Sequence, residues 1–259
     1  MKITMMLSLI LIKSFLLHLP AFFSPHQEND EIIYQTLIKK TTFKLTDYSL
    51  QGTTILNKLA KSNYDFPVFY HPPLFIFLEA LINKIFNEKF LMILPIFSSL
   101  ATLLLTYKIG EKIANSQTGL LAAGILAICP ISLFASTKLW MDSLLTLFVS
   151  LSIYCALKSK EKTIFTFLSG LFFTTALMVK YSAVFILPTI LLIFFKKTKN
   201  WQEKLMAFLY FLCPVFLSFP WFYYNYSTLG LFFYIPRTAS VSIKMFPTST
   251  GFPIFPYKD

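Results

Sequence analysis

Seven apolar runs recur along this 259-residue chain and decide what it can become: Ile3–Phe23, Phe90–Tyr107, Gly119–Ala135, Ser143–Leu157, Ile164–Val179, Tyr181–Phe195 and Leu205–Phe222. A helix needs about 20 apolar residues to cross a hydrocarbon layer ~30 Å thick, and within that layer its backbone polar groups must satisfy one another. The runs therefore predict an all-α, polytopic transmembrane helical bundle of about seven crossings. Composition agrees. At 56% hydrophobic and 14% charged residues, with mean hydropathy +0.64, the chain carries more apolar surface than a soluble domain of this length can bury.

Charge placement predicts the topology. The formal net charge is +11, and Lys108/Lys112, Lys158/Lys160/Lys162 and Lys196/Lys197/Lys199/Lys204 fill every second short connection. Cytoplasmic loops carry such lysines, so the N-terminus is expected inside. The first run is read as an uncleaved helix, because Lys13 interrupts it and no small-residue cleavage site follows. The expected layout is one membrane domain over 1–259, with a first crossing at 1–23 and a long outer loop at 24–89 that contains short interfacial helices. Six further crossings fill 90–222, and an outer tail runs through 223–259. Pro72–Phe86 is read as a helix dipping into the outer leaflet with a polar stripe of Glu79, Asn83 and Lys84. Counting it as a crossing would turn every later lysine cluster outward.

The absent motifs narrow the function. There is no P-loop, no dinucleotide-binding glycine pattern, no H-E-x-x-H and no Cys/His cluster. Cys129, Cys155 and Cys213 lie inside apolar runs, so no disulfide is expected. With lysines accounted for by topology, nucleic acid is not an expected partner.

Several polar residues fall on the predicted outer face. Asp30 and Glu31 follow the first crossing; a carboxylate there can accept a proton from a hydroxyl, and equally acids favour a helix start. His71 is followed by Pro72-Pro73, which hold the chain extended. Asp142 sits where one helix ends and the next begins, as a functional acid or an N-cap. Lys180 marks the turn of a 163–195 apolar stretch, where it can meet a phosphate or snorkel to headgroups. Arg237 is the sole arginine and suits phosphate or juxtamembrane anchoring. Trp221, Phe222, Tyr223, Tyr224 and Tyr226 read as an interfacial aromatic belt around Asn225.

This order of features resembles the dolichyl-phosphate-mannose protein mannosyltransferase and aminoarabinose transferase-like superfamily, the C-type membrane glycosyltransferases. The residues that carry the resemblance are Asp30-Glu31 with Tyr34, His71-Pro72-Pro73-Leu74, Pro130 before Asp142-Ser143, Gly170-Leu171 with Lys180, and Pro220-Trp221-Phe222 with Asn225 and Gly230. It runs from Lys2 to about Gly230 and spans the N-terminal half of typical members, so a reading frame continuing past Asp259 is expected if the chain is a fragment.

The resemblance implies a polyprenyl-phosphate-linked sugar donor and an acceptor hydroxyl on a protein, lipid or glycan. It also implies a catalytic acid in the first outer loop, where Asp30 matches best with Glu31 beside it. Lys180 and Arg237 would hold the donor phosphate, while Tyr34, His71, Asp142 and Asn225 would line the substrate site. Asp30 and Asp142 could instead hold a divalent cation. The expected setting is a prokaryotic plasma membrane with the site outward and membrane lipid around it. The competing reading is a non-catalytic carrier or scaffold for polyprenyl-linked saccharides, or an inactive fragment of such a transferase.

Overall fold

The computed structural model describes residues 2–23, 29–57, 67–159, 161–197 and 200–232. Among them there is no strand, and every predicted apolar run is helical. The first run forms α1 (Lys2–His18) and the outer loop folds into α2 (Asn29–Lys40) and α3 (Leu74–Phe86). Next come α4 (Ile93–Ile113), α5 (Ser116–Ala127), α6 (Pro130–Ser136), α7 (Asp142–Lys158), α8 (Ile164–Val179), α9 (Leu187–Lys197), α10 (Trp201–Leu212) and α11 (Phe219–Leu229).

Local chemistry sets several of these boundaries. The Asn115 side chain caps α5 by accepting from the Thr118 N–H at 2.9 Å. Pro130, which cannot donate to the previous turn, opens α6, and α5 and α6 meet at a 63° bend. Gly230 ends α11 in the left-handed conformation (φ 71°) that a side chain would strain.

Length divides the bundle. Among the described residues, three helical stretches are long and apolar enough to cross a membrane: Ile3–Ala21, Glu88–Ile113 and Trp201–Leu229. The bent α5–α6 pair makes a fourth if it is one broken span. At 17 and 16 residues, α7 and α8 fall short of the roughly 20 that a perpendicular crossing takes.

Close packing holds the middle together. α7 lies against both α4 and α8. The Ser152 hydroxyl donates to the Ser169 carbonyl at 2.8 Å and the Ser169 hydroxyl returns the bond at 2.9 Å, satisfying polar groups that have no water to turn to. Gly170 lets α8 touch α10; a Cβ there would sit 2.0 Å from the Phe211 carbonyl oxygen. Gly119 does the same for α5 against α4, with Tyr107 O at 2.3 Å.

The main core lies at one end. It joins Ile33, Leu37 and Ile38 of α2, Tyr48, Leu50 and Phe69 of the loop, Phe75 and Ile76 of α3, Met92, Leu139, Met141, Val179 and Trp221. The expected polar stripe on α3 is not formed, because Glu79 shares the face of Phe75 and Ile76 that packs into this core. Glu79 is fully buried, neither carboxyl oxygen has a partner, and burial raises its pKa well above the ordinary value.

Candidate functional site

The site grows from the five-residue link between α6 and α7. Leu139 and Met141 are fully buried and fix this link, leaving the Leu139 N–H to be satisfied; it donates to Glu31 Oε1 at 2.8 Å. Glu31 lies in the first turn of α2, where a carboxylate also suits the positive helix end. It is 1% exposed, so this acid ties the outer loop to the start of α7. Asp30, beside it in the same turn, is exposed.

Asp142 opens α7, and its carboxylate accepts from Lys180 Nζ at 2.8 Å. Lys180 leaves α8 in an extended conformation (φ −156°, ψ 135°), with its N–H on the Ala176 carbonyl, before a short 3-10 helix at Tyr181–Ile186. The two side chains are 40% and 30% exposed, so the pair is half-screened and open to a third party.

His71 faces this pair. Its pKa is pushed down to about 3, first by burial and then by the Lys180 charge, while Asp142 pulls the other way. The ring is therefore neutral at physiological pH. It lies 4.1 Å from the Tyr70 ring, and the next carbonyl, of Pro72, accepts the Tyr48 hydroxyl at 3.2 Å.

A second set abuts Lys180. The Tyr181 hydroxyl accepts from Trp221 Nε1 at 2.9 Å and from Asn225 Nδ2 at 3.3 Å. Asn225 is fully buried and its Oδ1 has no partner, which leaves an acceptor inside the site. Trp221 stands edge-on to Tyr48 at 5.6 Å, closing a ring of contacts from the outer loop to α11. The aromatic belt expected here is thus divided: Trp221 is 1% exposed and structural, while Tyr223 and Tyr226 point outward.

The structure therefore brings together His71, Asp142, Lys180 and Asn225 at one end, with Glu31 linked to them through Leu139. Tyr34 is nearby but buried, its ring edge-on to Phe69 and Phe75, so it packs the core under the site. Arg237 lies outside the described residues. Among those described, no three His, Cys, Asp or Glu side chains gather as metal ligands, and Asp142 is engaged with Lys180. The donor set for an Asp30–Asp142 cation is thus incomplete.

Four contributors escaped the sequence reading: Tyr48, Trp221 as a buried post, Tyr181 and His18. Tyr181 carried a signal in its place next to Lys180, and Trp221 in the Pro220-Trp221-Phe222 run that the family resemblance uses. His18, at the end of α1, is fully buried and its Nε2 lies 2.7 Å from the hydroxyl of Ser136, the last residue of α6.

Residues 70–224, which hold His71, Asp142, Lys180 and Trp221, match the family described as dolichyl-phosphate-mannose-protein mannosyltransferase. No curated protein matches the chain. The matched stretch is more than half of the sequence and the fold is the helical membrane bundle expected, so the chain belongs to the dolichyl-phosphate-mannose-protein mannosyltransferase family of C-type glycosyltransferases.

Proposed function

We propose that this chain transfers a sugar from a polyprenyl-phosphate-linked donor to an acceptor hydroxyl at the extracytoplasmic membrane face. The observation that supports it best is the half-exposed Asp142–Lys180 pair, set against the neutral His71 on the same end of the bundle as the first turn of α2. The Lys112–Glu161 contact also ties two of the lysine-bearing connections to each other, as an inward-facing side would require.

In the mechanism, Asp30 takes the proton of the acceptor hydroxyl, whose oxygen attacks the anomeric carbon. The bond from that carbon to the phosphate oxygen breaks, and the electron pair leaves with the polyprenyl phosphate. Asp30 is exposed in α2, so it is free of the burial that fixes Glu31. Lys180 meets the growing phosphate charge. An ammonium has three N–H donors, so Lys180 can keep Asp142 and still donate to a phosphate oxygen. A phosphate leaves readily without a strong acid, which suits a site whose His71 imidazole stays neutral. Arg237 is a second phosphate ligand in this scheme, and the unpartnered Asn225 Oδ1 accepts from a donor or acceptor hydroxyl.

The test is transfer in proteoliposomes with labelled polyprenyl-phosphate mannose as the first donor probe and a panel of hydroxyl acceptors. Labelled glycoside supports the reading. Donor binding without glycoside would instead identify the non-catalytic carrier.

A further inference from the structure

The segment from Ser136 to Asp142 is gripped at three points by residues from three separate parts of the chain. At its far end Lys180 holds Asp142, and in its middle Glu31 holds the Leu139 N–H. At its near end stands His18. The ring's Nδ1 lies 2.5 Å from the Ser14 carbonyl, which can only accept, so Nδ1 carries the proton. Nε2 lies 2.7 Å from the Ser136 hydroxyl oxygen, which also donates to the Ser132 carbonyl at 2.7 Å, so the ring, the hydroxyl and the α6 backbone form one hydrogen-bonded chain. The ring has no exposed surface, and it sits at the end of the candidate crossing Ile3–Ala21. A polar ring in such a place is expensive unless it is used. The α5–α6 bend makes the use specific. α6 is a seven-residue helix cut from α5 by a 63° turn, so its end needs an outside tether to hold the angle at which the link leaves.

We propose that His18 is a positioning residue for sugar transfer: by holding Ser136 it fixes the link that carries Asp142 to Lys180. This rests on the transferase reading. His18 touches no reacting atom. It acts at the near end of a link whose far end bears the acid partner of the phosphate-binding lysine, and it couples the first crossing to the site.

The experiment uses the full chain in proteoliposomes, with Cys129, Cys155 and Cys213 replaced and Lys138→Cys introduced as a maleimide target within the link. His18→Ala and Ser136→Ala should each raise the labelling rate at position 138 about tenfold. Each should lower kcat for transfer about tenfold with donor KM near the parent's. The double variant should be no worse than either single one, as two ends of one hydrogen bond require. His18→Gln, which keeps an acceptor and a donor, should restore most of both readouts. Ser159→Cys, at the opposite end of α7, should label at the parent rate throughout. Unchanged labelling at 138 overturns the proposal, and so does an equal rise at 159, which would mean general loosening. Faster labelling at 138 with undiminished kcat overturns the positioning role. If the parent itself makes no glycoside while 138 still responds, the transferase reading falls and the positioning role with it, whatever the tether does for the fold.

Discussion

The two ends of the bundle use the same residue types in opposite ways. At the end where α2, α3 and the 136–142 link meet, the contacts that hold the link are made by half or fully buried charges across distant sequence: Glu31 to Leu139, Lys180 to Asp142. At the other end Lys108, Glu111, Lys112, Lys158 and Glu161 pair largely with near neighbours and stand in contact with solvent. Burial is what separates them. A charge out of water is dear to break and specific in direction, whereas one in water is screened and exchangeable. The first end therefore has the properties a reaction site needs, and the second those of a solvated membrane face.

The sharpest way to break this contrast is at Asp30. If it is the base, Asp30→Asn lowers transfer by at least a hundredfold while donor binding and protein level hold. Asp47→Asn changes transfer little, since Asp47 receives the Thr42 hydroxyl in a loop turn away from the charged pair. Equal transfer by Asp30→Asn and wild type would remove the base from this end and leave the acids as structural groups.

Next in size is Lys180. A charge-assisted bond to a phosphate is worth on the order of 1.5–3 kcal/mol, so Lys180→Met should weaken donor use ten- to a hundredfold. A lysine that only reached headgroups would lose little by that change. Lys180→Arg adds a second cut, because the planar fork fits poorly where an ammonium must serve Asp142 and a phosphate at once. Donor titration of both variants decides it, and unaltered affinity in both would leave Arg237 as the remaining cation.

The pH response of His71 gives a smaller effect with a definite sign. Its folded pKa, about 3, lies below the ordinary 6.5, so on acidification the unfolded chain takes up the proton first. Stability is therefore full above pH 6.5 and declines as pH falls below it, by about 1.4 kcal/mol per unit for this group alone. Thermal unfolding followed between pH 7 and 5 should show the decline, and His71→Gln should flatten it. A profile as steep in His71→Gln as in wild type would assign the response to other groups.

These tests concern residues that were unequally legible in the sequence. The helices were, because apolar runs of this length have few other fates, and each run appears as helix in place. The charged constellation was readable in its members: Asp142 and Lys180 stood out as ionisable groups in apolar surroundings. Their pairing was not, since they are separated by 38 residues and nothing in either run specifies which face meets which. Glu31 and Asp30 looked equivalent side by side. Only packing distinguishes them, because a helix turns about 100° per residue and sends one into the core and the other to water. Glu79 shows the converse error, where a polar letter at helical spacing suggested a wet stripe but the side chain packs with Phe75 and Ile76 into the core. His18 gave no signal at all, for its use depends on Ser136, which lies 118 residues away.

The smallest effect lies at the solvated end and measures the baseline of the comparison. Lys112 and Glu161 form an ion pair between the α4 end and the α7–α8 connection, with side chains 41% and 44% exposed. Such a pair gains modest Coulomb energy in a high dielectric and orders two long side chains to do so, which leaves roughly 0–1 kcal/mol. Lys112→Ala, Glu161→Ala and the double variant should thus differ from wild type by under about 1 kcal/mol in denaturant unfolding. The coupling between them should shrink further when ionic strength rises from low to physiological, because the Debye length falls to about 8 Å. Transfer should be unaltered in all three, as the pair stands at the opposite end of α7 from Asp142. A coupling well above 1 kcal/mol that resists salt would mean the two ends are not electrostatically different, and the contrast drawn from burial would fail at the end where it is easiest to check.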